Sequence, residues 1–180
     1  IVNKFGFDKV YKQGFNIKTP LNIKIQNLAT ESLREGLLNY DKRRGWRGPL
    51  TNKKITKNWI KDLKKFRLEK SIGWQLAIVT KVNQFSAEIE TEYKVRGKIP
   101  YESISWTKKE FDKLLKKGDV IYVKNTKKNN FNLMQLPKVN GGIVVMDPFT
   151  GRVLALSGGF SFKQSEFNRA SQALRQPGSA

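Results

Sequence analysis

With no Cys and no His among 180 residues, any catalysis by this chain must use Ser, Lys, Tyr or carboxylates. The Ser-His-Asp triad, Cys-His nucleophiles, disulfides and His- or Cys-based zinc sites are excluded. No Asp/Glu spacing matches a calcium loop, and Gly158-Gly159 alone is no phosphate cradle, so neither metal nor cofactor is expected. Glu88, Glu90, Glu92 and Glu102 are the carboxylates close enough in sequence to suggest paired acid and base. Their alternation beside lysines fits a solvated sheet face better. Trp46, Trp59, Trp74 and Trp106 could stack sugars or bases, but Trp59 and Trp74 fall on apolar stripes and read as core. Taken by itself, Ser179 is a serine after Pro177-Gly178 near the end of the chain.

Lys+Arg 35 against Asp+Glu 15 leaves a net charge of +20. Such a charge attracts polyanions: nucleic acid, anionic lipid or acidic polymers. The excess is mostly Lys, 26 against 9 Arg, and it rises together with 14 Asn and 13 Ile, the mark of an A+T-rich coding bias. The Lys pairs are spread along the chain rather than gathered in one arm. Both readings of the charge stand at this point, and solvated decoration is the plainer one. Neither end looks native: Ile1-Val2-Asn3-Lys4 resembles no start or signal peptide, and Gln176 to Ala180 stops without a helix end. We expect an excerpt of a longer protein. No apolar run approaches the roughly 20 residues of a membrane span.

The elements that would position these groups can be read from periodicity. Residues 12–19 alternate weakly, as a short strand would. Asn22 is a plausible N-cap for an amphipathic helix through Ile25, Ala29, Leu33, Leu37 and Tyr40, ending near Asp41. Gly45-Trp46-Arg47-Gly48-Pro49 reads as a corner where the chain leaves one domain for another. Residues 56–66 place Trp59, Ile60, Leu63 and Phe66 on one helical stripe. Strands are expected over 74–81, around Ala87 and Ile89, and over 93–99, with Ile104 and Trp106 continuing the alternation. Thr107 and Glu110 suggest a capping box for a short helix through Phe111, Leu114 and Leu115, stopped by Gly118. Two more strands follow, over 120–124 and 131–136. Strand, strand, strand, helix, strand, strand is the order of an OB-type barrel, five-stranded and partly open. The last forty residues open with a hairpin, 142–146 and 153–156, around a Pro-Gly turn.

Here the wording becomes specific. The run from Gly142 through Asp147-Pro148-Phe149-Thr150-Gly151 to Gly158-Gly159 resembles the first hairpin of a penicillin-binding transpeptidase domain. The run from Phe167-Asn168-Arg169-Ala170 to Gln176-Pro177-Gly178-Ser179 resembles the segment entering that family's nucleophile. Tyr40-Asp41-Lys42-Arg43-Arg44-Gly45-Trp46-Arg47-Gly48-Pro49 resembles a segment ahead of an extra domain in the class A, bifunctional penicillin-binding proteins of the 1A type. The middle matches by position and fold type more than by wording.

The resemblance implies a mainly β chain in which an OB-like five-stranded barrel is inserted between α+β flanking segments of a transpeptidase domain. Residues 1–53 would start the transpeptidase, 54–138 form the inserted module, and 139–180 re-enter through the hairpin. Ser179 would be the acyl nucleophile of the parent protein. Its partner, the Lys of Ser-x-x-Lys, would fall at position 182, beyond the chain end. Without that lysine the hydroxyl is a weak nucleophile, so this chain alone is expected to be inactive. Asn168, Arg169, Gln172 and Arg175 would orient the turn before the serine. The parent would polymerise a lipid-linked precursor, cross-link peptidoglycan stem peptides and be acylated by β-lactams. It would sit at the periplasmic face of the bacterial inner membrane, anchored by a segment outside this chain. The OB-like module would act as a spacer or a docking domain for another envelope protein. The alternative is an OB-fold nucleic-acid binder; it leaves the flanks unexplained, and no specific nucleic acid is expected.

Overall fold

The computed structural model describes residues 2–13, 16–127 and 129–174. A short helix α1 (Val2–Phe5) and a π-helical turn over Lys9–Gln13 come first. The strand expected over 12–19 is therefore absent among the described residues: no other strand lies alongside to take up its ladder bonds. The long helix α2 (Ile23–Lys42) follows, with Asn22 Oδ1 accepting from the Lys24 and Ile25 amides at 3.0 and 3.2 Å. These two bonds satisfy donors that a helix start leaves orphaned.

Six strands make the large sheet: β1 (Thr51–Asn52), β2 (Trp74–Val82), β3 (Ser86–Thr91), β4 (Arg96–Pro100), β5 (Asp119–Asn125) and β6 (Phe131–Met134). Their order is β1-β5-β2-β3-β4, with β6 also paired to β5, and every ladder is antiparallel. A four-residue helix α3 (Phe111–Leu114) joins β4 to β5. The mainly β, OB-like arrangement expected from the order of elements is thus present. The sheet does not close into a barrel. Among the described residues β4 is joined to the chain entering β6 by one isolated parallel bridge, Lys98 to Asn130. Gly97 explains how the two strands approach at all. A Cβ there would run into the Asn129 carbonyl oxygen and lie 2.5 Å from Phe131 Cε2.

Two apolar clusters sit on opposite faces of β2 and β5. Ala77, Val79, Ile121 and Val123 point inward with Ile89, Ile99, Phe111, Phe131 and Leu133. Leu76, Ile78, Val120 and Tyr122 point outward onto Trp59, Leu63 and Met134. Burial on both faces is why these two strands read as near-continuous apolar runs. The outer cluster is covered by residues 56–66, which form no α-helix. Their bonds are all three apart, as in Trp59 to Thr56, Lys61 to Asn58 and Leu63 to Ile60. Asp62 stands at φ +68°, a left-handed conformation that interrupts any α ladder. The helical stripe was real as a burial pattern: Trp59 and Leu63 are both buried.

Two further expectations change. Ile104 lies between two 3-10 turns, Tyr101–Ser103 and Ser105–Thr107, and Trp106 in the second, so neither is in a strand. The capping box does not form. Thr107 Oγ1 donates to the Ile104 carbonyl at 2.7 Å, and Lys108 at φ +55° separates it from α3. Glu110 takes the N-cap position without a side-chain bond to the helix. The second sheet is the expected hairpin, β7 (Ile143–Met146) and β8 (Val153–Ser157).

Candidate functional site

Ser179, Arg175 and residues 176–178 and 180 lie outside the described residues. The structure describes the lead-in up to Leu174 and the elements beneath it. The hairpin turn is built by Asp147. Its carboxylate accepts from Thr150 Oγ1 at 2.6 Å and from the Phe149 amide at 2.9 Å, and Gly151 supplies a φ of +68°. The Thr150 bond first, then the Phe149 bond, hold the Asp147 carboxyl below its ordinary value.

Helix α2 covers the free edge of β8. The Asn22 amide donates to the Leu154 carbonyl at 2.9 Å. One turn on, Gln26 takes the place of a missing strand: Oε1 accepts from the Leu156 amide at 2.9 Å and Nε2 donates to the Leu156 carbonyl at 3.1 Å. Beyond β8 the chain folds back on itself. Asn140 Oδ1 accepts from the Phe160 amide at 2.9 Å, and the Arg169 amide donates to the Gly158 carbonyl at 3.1 Å. Gly158 is glycine for packing reasons, since any Cβ would overlap the Asn168 side chain. Gly142 is similarly close to Ala170, whose amide nitrogen would lie 2.9 Å from a Cβ.

Asn168, Arg169 and Gln172 are brought together in one local set of hydrogen bonds. Asn168 Oδ1 accepts from the Ala170 amide at 3.0 Å, and Gln172 Oε1 accepts from the Asn168 amide at 2.7 Å. Arg169 donates to the Phe167 carbonyl at 2.9 Å and to Ser165 Oγ at 3.2 Å. Each of these contacts stays within the segment or its hairpin.

Two polar clusters join the large sheet to these flanks. The first centres on Asp41, 2% exposed at the end of α2. Its carboxylate pairs with Arg47 Nη1 at 2.9 Å, accepts from Gln135 Nε2 at 2.9 Å and from the Lys138 amide at 3.0 Å. Gln135 Oε1 in turn accepts from the Arg47 amide at 2.8 Å, and Arg47 donates to the Leu136 carbonyl at 2.6 Å. The second cluster centres on Glu69. It accepts from Ser161 Oγ at 2.7 Å and from the Lys163 amide at 2.8 Å. Beside it, Arg34 of α2 donates to the Phe160 carbonyl at 3.0 Å and the Ser71 carbonyl at 3.3 Å. Phe160 is 1% exposed, with its ring 5.5 Å from that of Trp74 and 5.9 Å from the Arg34 guanidinium. Partial burial pushes the Glu69 carboxyl up, but bonds from Ser161 and Lys163 and the Arg34 charge outweigh it and hold it below its ordinary value.

Periodicity marked neither cluster, although one sign was available. An acid in the last turn of a helix faces the negative end of the helix dipole, so Asp41 needed an outside partner. The other sequence candidates are elsewhere. Glu92 is not solvated; its side chain is 7% exposed, pairs with Arg67 at 2.8 Å and accepts from the Leu76 amide. Glu88 and Glu102 are exposed as expected. All four indoles pack on the two apolar clusters, Trp59 within one and Trp46, Trp74 and Trp106 against them, so they are not free stacking platforms. No described lysine is buried. Among the described residues no group of acids could hold a metal ion, and no helix is long and apolar enough to cross a membrane.

The model of the family described as the penicillin-binding protein OB-like domain matches residues 46–139. The chain belongs to that family. Nearly all of the chain is similar to curated proteins named penicillin-binding protein 1A. The one from Rickettsia bellii is 43% identical over 96% of this chain, and that from Escherichia coli 34% identical over 98%. The chain spans 22% and 23% of their lengths. A crystal structure of penicillin-binding protein 1A from Haemophilus influenzae superposes with a TM-score of 0.79 at 29% identity, covering 97% of this chain and 26% of that one. The segment matching the penicillin-binding protein OB-like domain starts at Trp46 and ends at Val139. Asp41 therefore holds both ends of the OB-like domain, its start through Arg47 and its end through Gln135 and Lys138. Glu69, Trp74 and Pro137 are among the OB-like domain's contacts with the turn that begins the lead-in.

Proposed function

We propose that this chain is the OB-like module of a bifunctional peptidoglycan synthase together with the transpeptidase segments on either side of it. Residues 1–53 start the transpeptidase, 54–138 are the module, and 139–180 are the hairpin and the lead-in to Ser179. In the whole protein Ser179 is the acyl nucleophile, activated by a lysine one helical turn further on. That protein polymerises a lipid-linked precursor, cross-links stem peptides, reacts with β-lactams and is anchored at the periplasmic face of the inner membrane. The module serves as a spacer or docking domain, and this chain alone is inactive.

The observation that carries this reading is the way the two flanks meet. Gln26, before the module, and Leu156, after it, pair backbone to side chain across 130 positions. This contact supports reading the flanks as one unit interrupted by the OB-like domain. The test is labelling with a fluorescent penicillin. The whole protein takes up one label per chain and loses it on Ser179→Ala, while the 180-residue chain takes none. Stoichiometric label on the 180-residue chain, or a labelled Ser179→Ala protein, would refute the assignment.

A further inference from the structure

The OB-like domain touches the start of the lead-in through a charged clamp. Ser161 is 3% exposed and its hydroxyl donates to Glu69. The Lys163 amide donates to the other oxygen of the same carboxylate. Gln164 Nε2 reaches the Pro137 carbonyl at 2.7 Å, on the returning end of the module. Arg34 and Trp74 hold Phe160 from two further sides. The turn over 160–165 is therefore fixed from α2, from the body of the module and from its exit. It stands at the root of the segment that carries Arg169 and Gln172 and, 16 residues after Lys163, reaches Ser179.

We propose that Glu69 is a positioning residue for acyl transfer, anchoring on the OB-like module the 160–165 turn from which the chain runs on towards Ser179. This rests on the reading of Ser179 as the acylated serine. Acyl transfer is sensitive to placement, since an oxygen displaced by about 1 Å from its attack geometry can lose about a hundredfold in rate. Hydrogen bonds to an ionised carboxylate are roughly twice as strong as neutral ones, so this clamp outweighs the ordinary loop contacts around it. Glu69 touches no reacting atom. Its effect falls on the acylation step and not on the affinity of the site for a β-lactam.

The experiment uses the whole protein and a fluorescent penicillin, separating the dissociation constant from the acylation rate constant. Hydrogen exchange at the Lys163 amide is followed alongside. Glu69→Gln is expected to slow acylation roughly tenfold with the dissociation constant unchanged, and to speed exchange at Lys163. Ser161→Ala, which removes one bond and no charge, moves both readouts the same way by less, and it decides the matter should Glu69→Gln fail to fold. Acylation of both variants at the wild-type rate overturns the proposal while leaving Ser179 as the nucleophile. A weakened dissociation constant with an unchanged rate constant also overturns it. Wild-type protein that takes no label removes the reading of Ser179, and the proposal with it.

Discussion

Gln26 and Leu156 exchange two hydrogen bonds at 2.9 and 3.1 Å, so one side-chain amide occupies the edge of β8 as a neighbouring strand would. Replacing Gln26 with Leu removes both partners from a half-buried peptide group. An unsatisfied pair of this kind costs about 1–2 kcal/mol. Urea denaturation of the 180-residue chain should show a lower midpoint, with added exchange at the Leu156 amide.

Asp41→Ala should be more damaging. It strips Arg47, Gln135 and the Lys138 amide of a common acceptor at a nearly inaccessible position. Breaking one partner out of a buried charged cluster costs about 3 kcal/mol. Equilibrium unfolding gives the loss. Asp41→Asn, which keeps an acceptor oxygen, should recover part of it.

Gly97→Ala tests the seam between β4 and β6. The new methyl meets the Phe131 ring and the Asn129 backbone, and backbone cannot swing away. Overpacking of this kind costs about 1–3 kcal/mol. Gly36→Ala is the control: nothing lies within 4 Å of its Cβ position, and it sits inside α2. It should leave the chain unchanged or slightly more stable.

Tyr122 should titrate late. Burial pushes its hydroxyl up to about 12, while it donates to the Phe66 carbonyl. Its folded value lies above the unfolded value of about 10. The stability it contributes is therefore complete below pH ~10 and is lost as pH rises towards ~12. Absorbance titration should resolve one late tyrosine, absent in Tyr122→Phe. The stability gap between the two proteins should narrow across the same window.

Local order was legible in the chain and distant pairing was not. Asn22 ahead of an apolar stripe was enough to start α2, and Asp147-Pro148 to Gly151 was enough to turn the hairpin. The alternation over 93–99 reads as one strand, yet Glu92 and Tyr93 form a turn, Lys94 follows at φ +62°, and only Arg96–Pro100 pairs. Period two states which faces alternate, not where a ladder finds its partner. Residues 56–66 carried a helical burial pattern without a helix, because packing on the outer cluster selects buried positions whatever the backbone does. Glu69 and Ser161 stand 92 positions apart, and no property of either residue type announces the other.

The Asp41 carboxylate carries a topological consequence. Since Arg47 and Lys138 both end on one oxygen of it, the two ends of the OB-like domain are neighbours at a narrow stem. A linker of a few residues could bridge that stem, leaving α2 and the hairpin in register. Deleting the whole domain at that stem would also strip the 160–165 turn of its contacts with Glu69 and Trp74.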